Sequence, residues 1–333
     1  MESSTKKRVS VIGSGSWATS IVKILHETQE HVGWYIREPE IVKHVQQYRT
    51  NPCFSSTIDF DLNRVTPSND LNQVVRDSDV LVFVVPAQYM KVWMEPLTES
   101  FDNKFIVSAI KGIIPSDDLT IAEYFNQCHG VPYDRIGIVS GPSHAEEVAQ
   151  SRLTYLTFSC KRIEKAQELA ELFSARYIRT HTGTDIYGTE YSAVLKNIYA
   201  LAAGIAHGLG YGDNFLSVLV TNSLLETERF LNSSYPSPRN LSTSAYLGDL
   251  LVTAYSQFSR NRMFGTMIGR GYSVNATIQE MNMVAEGYNA SKCMHEINAR
   301  YNVPMPIANA VYNILYEKIS PAVEMRLLVD QLI

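Results

Sequence analysis

The first residue that suggests chemistry is a lysine in an apolar setting. Lys196 lies within the segment Val194–Ile205, which is otherwise rich in apolar and small residues. A buried lysine is costly unless it has a charged partner or a chemical task. The plainer interpretation is a snorkelling lysine, whose stem packs on a helix while its ammonium group reaches water. The segment therefore predicts either a lysine with a partner or a chemical task, or a snorkelling side chain.

A second lysine occupies a favourable position for ligand binding. Lys111 directly follows the predicted strand Phe105–Ile110, so it stands at the carboxyl end of that strand. Doubly wound folds bind their ligands along this edge of the sheet. We expect Lys111 to polarise a substrate there, although a solvated loop lysine would have the same sequence. If Lys111 lies close to Lys196, its charge and burial would both lower the pKa of Lys196.

The segment Ser259-Arg260-Asn261-Arg262 is suited to binding an anion. A guanidinium group matches two phosphate oxygens at once, and an asparagine amide adds a neutral donor. Arg262 lies two positions beyond Arg260 and would point elsewhere on a helix, so it is expected to be a surface charge. The pair Arg260 and Asn261 predicts a phosphate clamp.

A glycine-rich turn near the amino terminus matches the dinucleotide-binding pattern G-x-G-x-x-[G/A]. Gly13 and Gly15 follow the strand Val9–Ile12, and Ala18 takes the third position. Gly13 permits the tight turn, Gly15 lets a pyrophosphate approach the backbone, and the helix start offers free N–H groups. Ser16 and Trp17 open that helix. The motif predicts a site for NAD or NADP.

The second strand ends at Trp34-Tyr35-Ile36 and is followed by Arg37 and Glu38. A carboxylate at this place usually binds the ribose 2′-hydroxyl of NAD, whereas an arginine accepts the 2′-phosphate of NADP. Arg37 therefore indicates tolerance of NADP, and Glu38 keeps NAD possible.

Short β-branched segments alternate with amphipathic helices in the first half of the chain, which predicts an α/β, Rossmann-type doubly wound, mostly parallel sheet. The predicted strands are Val9–Ile12, Val32–Ile36, Val80–Val85, Phe105–Ile110, Ile136–Val139, Leu153–Phe158 and Tyr177–Arg179. The predicted helices are Trp17–His26, Leu71–Arg76, Tyr89–Ser100, Leu119–Cys128 and Ile163–Ala175.

From about Ile186 onward, the pattern is helical with almost no β-branched alternation. This change predicts a dinucleotide-binding domain over residues 1–185 and an all-helical substrate-binding and catalytic domain over residues 186–333. No flexible linker separates them, so the two domains should pack directly against each other.

Composition narrows the class of protein. The 333 residues carry 29 basic and 34 acidic side chains, a net charge of −5, so a nucleic-acid partner is not expected. No apolar segment suits a membrane span or a secretory signal. The four cysteines are scattered without metal-ligand spacing, so no metal site is expected. These features predict a cytoplasmic protein.

Three further motifs carry a resemblance that covers the chain from Val9 to about Gly287. They are Ser108-Ala-Ile-Lys111-Gly-Ile, Ser140-Gly141-Pro142-Ser143-His144-Ala145 and the long segment from Glu190 to Gly210. Together with Gly248-Asp249-Leu and Ser259-Arg260-Asn261-Arg262, they resemble the NAD(P)-dependent glycerol-3-phosphate dehydrogenase family in its bacterial form. The resemblance implies interconversion of sn-glycerol 3-phosphate and dihydroxyacetone phosphate, a role in supplying phospholipid synthesis, and a homodimer.

The resemblance also implies roles for individual residues. Lys196 would be the general acid in reduction and the general base in oxidation, Lys111 would orient the substrate, and Asp249 would tune Lys196. The implied substrate contacts are Lys111, Gly141, Ser143, Lys196, Asn197, Asp249, Thr253, Ser259, Arg260 and Asn261. The implied cofactor contacts are Gly13, Gly15, Ser16, Trp17, Arg37, Lys111, Ala145, Arg260, Val284 and Glu286. Asp249 could instead be an ordinary aspartate at the start of a helix. Glu286 could instead be a solvated glutamate.

The sequence departs from the family pattern in places. Ala18 replaces a common third glycine, His144 stands where an aromatic residue is frequent, and Asn222-Ser223 replace a Thr-Arg-Gly-type stretch. Two other functions stay open: a dehydrogenase of similar build that acts on a 3-hydroxy acid or a sugar acid, and a non-enzymatic dinucleotide-binding regulator. The presence of Lys111, Lys196 and Asp249 together argues against a regulator, because sensing needs no proton relay.

Overall fold

The amino-terminal part of the chain forms one eight-stranded sheet. The computed structural model describes residues 7–55, 57–281 and 285–333, so the predicted cofactor contact Val284 lies outside the described residues. The strands are β1 (Val9–Ile12), β2 (Val32–Tyr35), β3 (Val65–Ser68), β4 (Val80–Phe83), β5 (Phe105–Ser108), β6 (Ile136–Ser140), β7 (Thr154–Cys160) and β8 (Ile178–Gly183).

The strand order is β3-β2-β1-β4-β5-β6-β7-β8, and all neighbouring pairs are parallel except β6 and β7. The chain order reverses between β1 and β4, which opens a crevice at the carboxyl ends of these two strands. The predicted Rossmann-type, mostly parallel sheet is confirmed. The antiparallel pairing of β7 was not predicted, because a short apolar strand carries no signal of its direction.

Helices cover both faces of the sheet, and each face has its own apolar core. Strands buried on both faces need apolar residues at nearly every position, which explains the continuous Val/Ile/Phe segments. The helices of this part are α1 (Ser16–Thr28), α2 (Pro39–Tyr48), α3 (Leu71–Asp77), α4 (Met90–Met94), α5 (Ile121–His129), α6 (Ala145–Ala149) and α7 (Ile163–Leu172).

One strand was missed and one predicted helix is shorter than expected, both for reasons that involve proline. The strand β3 was missed because Pro67 interrupts its β-branched pattern, yet β3 is an edge strand, where a missing N–H is tolerated. The helix predicted over Tyr89–Ser100 is α-helical only over Met90–Met94. Pro96 follows closely and cannot continue the helix.

The rest of the chain is helical and is built around one long buried helix, α8, in which twenty residues are buried. Its helices are α8 (Ile186–Gly208), α9 (Asp213–Ser234), α10 (Asp249–Tyr255), α11 (Arg260–Gly269), α12 (Val274–Glu280), α13 (Glu286–Asn298), α14 (Pro306–Leu315) and α15 (Pro321–Val329). A helix that is apolar all round must be surrounded by other helices, which explains why α8 is central.

The crossing of α8 and α11 depends on glycines. A Cβ atom on Gly204 of α8 would lie 2.1 Å from the carbonyl oxygen of Arg262. A Cβ atom on Gly265 of α11 would lie 2.1 Å from the carbonyl oxygen of Leu201. Only glycine permits this backbone approach, and the approach brings the start of α11 next to the middle of α8.

The architecture changes between Gly183, where β8 ends, and Ile186, where α8 begins. The proposed division at residues 185 and 186 follows this change. The N–H of Ala122 in α5 donates to Glu190 Oε1 in α8 at 3.1 Å, so the two parts are in direct contact. Among the described helices, none combines the length and the apolar character that a membrane crossing requires.

Candidate active site

The glycine turn between β1 and α1 lies at the crevice where the strand order reverses. Gly13 has φ +144°, and a Cβ atom there would lie 2.3 Å from the carbonyl oxygen of Val84. Its N–H donates to the carbonyl of Tyr35 at 3.1 Å. A Cβ atom on Gly15 would meet no atom within 4 Å, so open space adjoins this backbone. The turn is therefore shaped to let a ligand approach Gly15.

The start of α1 has the properties of an anion site. No side chain caps its first N–H groups, and its first turn holds no acidic residue. Trp17 Nε1 is buried without a hydrogen-bond partner among the described residues. Asn51, 1% exposed, supports the turn through bonds to the carbonyl of Ser14 at 2.9 Å and to Thr19 Oγ1 at 2.7 Å. These residues fit a dinucleotide whose pyrophosphate meets the helix start.

The residues after β2 have different environments. Ser14 Oγ, in the glycine turn, donates to Glu38 Oε2 at 3.1 Å. Arg37 is exposed, and its guanidinium forms no hydrogen bond with the described residues. Glu38 is thus held against the turn, whereas Arg37 stays at the surface.

Two lysines share one buried aspartate at the carboxyl edge of the sheet. The ammonium group of Lys196 donates to Asp249 Oδ1 and, at 2.9 Å, to Thr253 Oγ1. Lys111 Nζ donates to Asp249 Oδ2 at 3.1 Å and to the carbonyl oxygen of Gly141 at 3.1 Å. Lys196 and Asp249 are 6% and 1% exposed. The predicted catalytic residues Lys196, Lys111 and Asp249 are therefore in direct contact.

Burial and charge shift the proton affinities of this cluster. Burial lowers the pKa of Lys196 to about 7, and the charge of Lys111 acts in the same direction, while Asp249 opposes the shift. Burial alone would favour the neutral acid of Asp249, yet the charges of Lys111 and Lys196 hold its pKa below the usual value. A lysine with a pKa near neutrality can both donate and accept a proton at physiological pH.

The backbone before α10 is irregular. A π-helical turn, Ser244–Gly248, leads into Asp249, the first residue of α10. Such turns are rare and are frequent at functional sites. Ser140, at the end of β6, donates through Oγ to Asp249 Oδ2 at 3.3 Å. Asp249 therefore accepts hydrogen bonds both from the sheet, through Ser140, and from the helical part, through Lys196.

The predicted contacts Gly141 and Ser143 lie in the turn after β6. Gly141 has φ +113°, and a Cβ atom there would lie 2.7 Å from the carbonyl oxygen of Tyr155. Ser143 Oγ donates to the carbonyl oxygen of Gly141 at 2.9 Å. The carbonyl oxygen of Gly141 thus accepts from both Lys111 and Ser143. Contact of Gly141 and Ser143 with the substrate stays a prediction.

Two asparagines form a chain of amide hydrogen bonds. Asn197 donates to the carbonyl oxygen of Lys111 at 2.6 Å, and Asn261 donates to Asn197 Oδ1 at 2.9 Å. The N–H of Gly287 donates to Asn261 Oδ1 at 2.9 Å. This chain links α8, α11 and α13 to the loop after β5 and thereby fixes Lys111. Each amide keeps one further N–H for a ligand.

Arg260 is the first residue of α11 and is half-buried. Its guanidinium forms no hydrogen bond or ion pair with any described residue, so its donors are available. Ser259 has a different environment, because its Oγ accepts from the N–H of Arg262 at 3.2 Å and caps α11. Substrate contacts of Thr253 and Ser259 stay predictions.

Two further predicted cofactor contacts, Glu286 and Ala145, form hydrogen bonds within the described structure. Glu286, at the start of α13, accepts from the N–H of Ala87 at 3.0 Å, and burial raises its pKa to about 7. A Cβ atom on Gly112 would lie 2.6 Å from Glu286 Oε2, so the carboxyl group adjoins the residue after Lys111. The carbonyl of Ala145 accepts from Ser20 at 3.0 Å, which joins α6 to α1.

Two residues that support the site were not predicted from the sequence. Ser140 stands inside a quoted motif, but its position next to Gly141 did not reveal a bond to Asp249. Asn51 belongs to no motif and lies far along the chain from the glycine turn that it supports. A buried asparagine in a loop has no sequence signal of its own, so only the fold reveals it.

The described residues contain neither a disulfide nor a cluster of potential metal ligands. All four cysteines are free thiols, and Cys160 and Cys293 are buried. Within the described ranges, no three histidine, cysteine, aspartate or glutamate side chains are grouped so that they could share a metal ion.

Two family models match the chain in sequence. The model described as "NAD-dependent glycerol-3-phosphate dehydrogenase N-terminus" matches residues 8–166. The model described as "NAD-dependent glycerol-3-phosphate dehydrogenase C-terminus" matches residues 185–326. Together these two matches span nearly the whole chain.

Individual relatives are similar over the same length. "Glycerol-3-phosphate dehydrogenase [NAD(P)+]" of Latilactobacillus sakei is 37% identical over 315 residues, which cover 92% of each chain. The protein of the same name from Oceanobacillus iheyensis is 34% identical and covers 95% of this chain and 91% of its own. The crystal structure of glycerol-3-phosphate dehydrogenase from Coxiella burnetii superposes with a TM-score of 0.89 at 26% identity, covering 97% of this chain and 99% of that one.

Proposed function

The chain belongs to the NAD-dependent glycerol-3-phosphate dehydrogenase family, and we propose on this premise that it interconverts sn-glycerol 3-phosphate and dihydroxyacetone phosphate. It is an NAD(P)-dependent oxidoreductase, and the bound nicotinamide supplies or accepts the hydride. The observation that carries the proposal is the buried cluster of Lys196, Asp249 and Lys111. An acid–base lysine with a second cation beside it matches the needs of ketone reduction.

Lys196 is the proton donor in the direction of reduction. An ammonium group has three N–H donors, and two of those on Lys196 are used by Asp249 and Thr253. The third is free for the carbonyl oxygen of the substrate. As negative charge develops on that oxygen, Lys196 transfers a proton to it, and in oxidation the neutral amine removes the proton from the alcohol.

Asp249 and Lys111 set the electrostatics around this transfer. Asp249 accepts from both lysines, so it fixes the ammonium of Lys196 and keeps its proton affinity from falling further. Lys111 leaves the cluster with one net positive charge, which stabilises the developing oxyanion. Thr253 donates to the backbone carbonyl of Asp249 at 2.6 Å, so its oxygen is oriented to accept from Lys196.

Arg260 binds the phosphate of the substrate. Its guanidinium forms no hydrogen bond or ion pair with the described residues, although its charge acts on Glu286, and a pair of phosphate oxygens matches its planar donors. Asn261 and Asn197 each add an N–H that their mutual hydrogen bonds leave free. A phosphorylated three-carbon ketone would thus be held at one end while its carbonyl meets Lys196.

The shifted pKa of Lys196 predicts opposite pH dependences for the two directions. Burial lowers this pKa to about 7, so the protonated acid is lost as pH rises through that value. We expect kcat/KM for ketone reduction to fall, and kcat/KM for alcohol oxidation to rise, as pH rises through about 7. Profiles at pH above about 6.5 avoid the second ionisation of the phosphate, near 6. Profiles that change in the same direction would contradict this role of Lys196.

Cofactor choice is predicted to depend on Arg37 and Glu38. If Arg37 faces the 2′-phosphate, Arg37→Ala should raise the KM for NADPH and leave that for NADH nearly unchanged, because only NADPH carries that group. Glu38 accepts from Ser14 in the glycine turn, and we expect it to bind the 2′-hydroxyl of NADH. Equal losses with both cofactors would show that Arg37 has a structural role instead.

The activity is tested against the competing dehydrogenase class by a substrate panel. With NAD⁺, sn-glycerol 3-phosphate should produce an absorbance increase at the NADH band, whereas 3-hydroxy acids and sugar acids should not. A preference for a carboxylate substrate would favour the rival enzyme, and binding of cofactor without any turnover would favour a regulator.

We propose that the enzyme is a homodimer formed through its helical part. On α15, Val323 and Leu327 are four residues apart and are 51% and 55% exposed, and Met263 on α11 is 50% exposed. Exposed apolar side chains on one helix face are typical of a subunit contact. Light scattering should give a mass near twice 37.4 kDa, and Leu327→Glu should lower it; a monomeric wild type would contradict the proposal.

A cytoplasmic location and a supply of glycerol phosphate for phospholipid synthesis complete the proposal. Both rest on the family and on the small phosphorylated substrate proposed above. Deletion of the enzyme should then create a requirement for added glycerol or glycerol phosphate, which a growth assay measures.

A further inference from the structure

His144 lies in the same turn as residues that contact the catalytic cluster. It follows Gly141-Pro142-Ser143, and the carbonyl oxygen of Gly141 accepts from Lys111. Its ring meets Phe258 edge-on, with ring centroids 5.9 Å apart, and Phe258 directly precedes Ser259 and Arg260. The imidazole thus bridges the turn after β6 and the loop that leads into the proposed phosphate site.

The imidazole has a polar atom that nothing satisfies. His144 Nε2 is buried and has no hydrogen-bond partner among the described residues. A buried polar atom without a partner is costly, and such atoms are frequently satisfied by a ligand. A residue that served only to pack against Phe258 would not need this nitrogen.

The surroundings of His144 keep its ring neutral. Burial lowers the pKa of His144, and the charges of Lys196 and Lys111 lower it further, while Glu146 and the backbone carbonyl of Val252 oppose the shift. The geometric link to the reacting end is the turn itself, because the carbonyl oxygen of Gly141, three residues before His144, accepts from Lys111. A neutral imidazole prefers a neutral partner over a phosphate dianion, which the free guanidinium of Arg260 suits better.

We propose that His144 Nε2 hydrogen-bonds the free hydroxyl group of the three-carbon substrate and is a specificity-determining residue for it. A hydroxyl group both donates and accepts, so it suits either tautomer of a neutral imidazole. This inference rests on the proposed function, because it assigns a partner to the hydroxymethyl group of dihydroxyacetone phosphate. It explains how the site would distinguish this ketone from one that carries a methyl group there.

The test compares dihydroxyacetone phosphate with acetol phosphate, in which the hydroxymethyl group is replaced by a methyl group. His144→Phe keeps an aromatic ring against Phe258 but removes the nitrogen. It should lower kcat/KM for dihydroxyacetone phosphate about three- to tenfold, the loss expected for one hydrogen bond, and leave kcat/KM for acetol phosphate unchanged. His144→Gln, whose amide reaches about as far as Nε2, should restore most of the preference.

Three outcomes would overturn the inference. Equal losses on both ketones would show that His144 only packs, and no loss on either would show that it is not needed. A wild type that oxidises no NADH with dihydroxyacetone phosphate would instead overturn the proposed function and this inference with it. If His144→Phe fails to bind NADH, His144→Leu, which is also apolar and smaller, replaces it in the same comparison.

Discussion

Replacing Lys196 with alanine should leave cofactor binding intact and lower turnover by roughly 10²- to 10⁴-fold, the usual contribution of a general acid–base group. Lys196 lies in the middle of α8, whereas the proposed pyrophosphate site lies at the start of α1. The fold should survive the change, because Asp249 keeps its bonds to Lys111 and Ser140. Steady-state kinetics and a fluorescence titration with NADH measure the two effects separately.

Lys292→Ala is the matched control for this variant. Lys292 is an exposed lysine on α13 whose ion pair with Glu296 spans 3.8 Å, so its removal should change neither turnover nor NADH binding. Near-normal turnover in a folded Lys196→Ala enzyme would remove Lys196 from the mechanism. A loss of NADH binding equal to the loss of turnover would indicate a structural role instead.

Replacing Arg260 with alanine should cost at least tenfold in kcat/KM for dihydroxyacetone phosphate. Each charge-assisted hydrogen bond contributes about 1.5–3 kcal/mol, and the guanidinium can form two of them with one phosphate. Arg260→Lys should restore only part of the loss, since a point charge cannot reproduce two parallel bonds. Binding energy from the phosphate also positions the carbonyl, so part of the loss should be seen in kcat.

Unphosphorylated dihydroxyacetone separates phosphate binding from other effects of Arg260→Ala. The wild type should discriminate strongly against it, and the variant should lose almost nothing further on it. Arg262→Ala is the control, because Arg262 lies two positions away and donates to the backbone carbonyl of Tyr255 at 3.0 Å. If Arg260→Ala loses equally on both ketones, Arg260 does not bind the phosphate.

The parts of the fold that were predicted correctly are those with a local signal. The glycine turn follows from the spacing of Gly13 and Gly15, because the backbone conformation at Gly13 admits no side chain. The buried parallel strands follow from their continuous apolar segments. Edge strands, by contrast, tolerate interruptions, which explains why β3 with Pro67 was missed.

The parts of the site that were not predicted are contacts between residues far apart in sequence. The hydrogen bond from Asn261 to Asn197 forms because α8 and α11 cross so closely that the glycines of each helix lie against the backbone of the other. Sequence spacing indicates which residues share a helix face, but it does not indicate the angle at which two helices cross. The support of Asp249 by Ser140 likewise depends on how the sheet meets α10.

The proposed reaction is tested by the absorbance of NADH during incubation of the enzyme with dihydroxyacetone phosphate. We expect an enzyme-dependent loss of absorbance, with one sn-glycerol 3-phosphate formed for each NADH oxidised. Lys196→Ala should bind NADH as tightly as the wild type but should oxidise it much more slowly. A wild type that binds NADH, yet oxidises neither NADH nor NADPH in the presence of this ketone, would show that the enzyme does not catalyse this reaction.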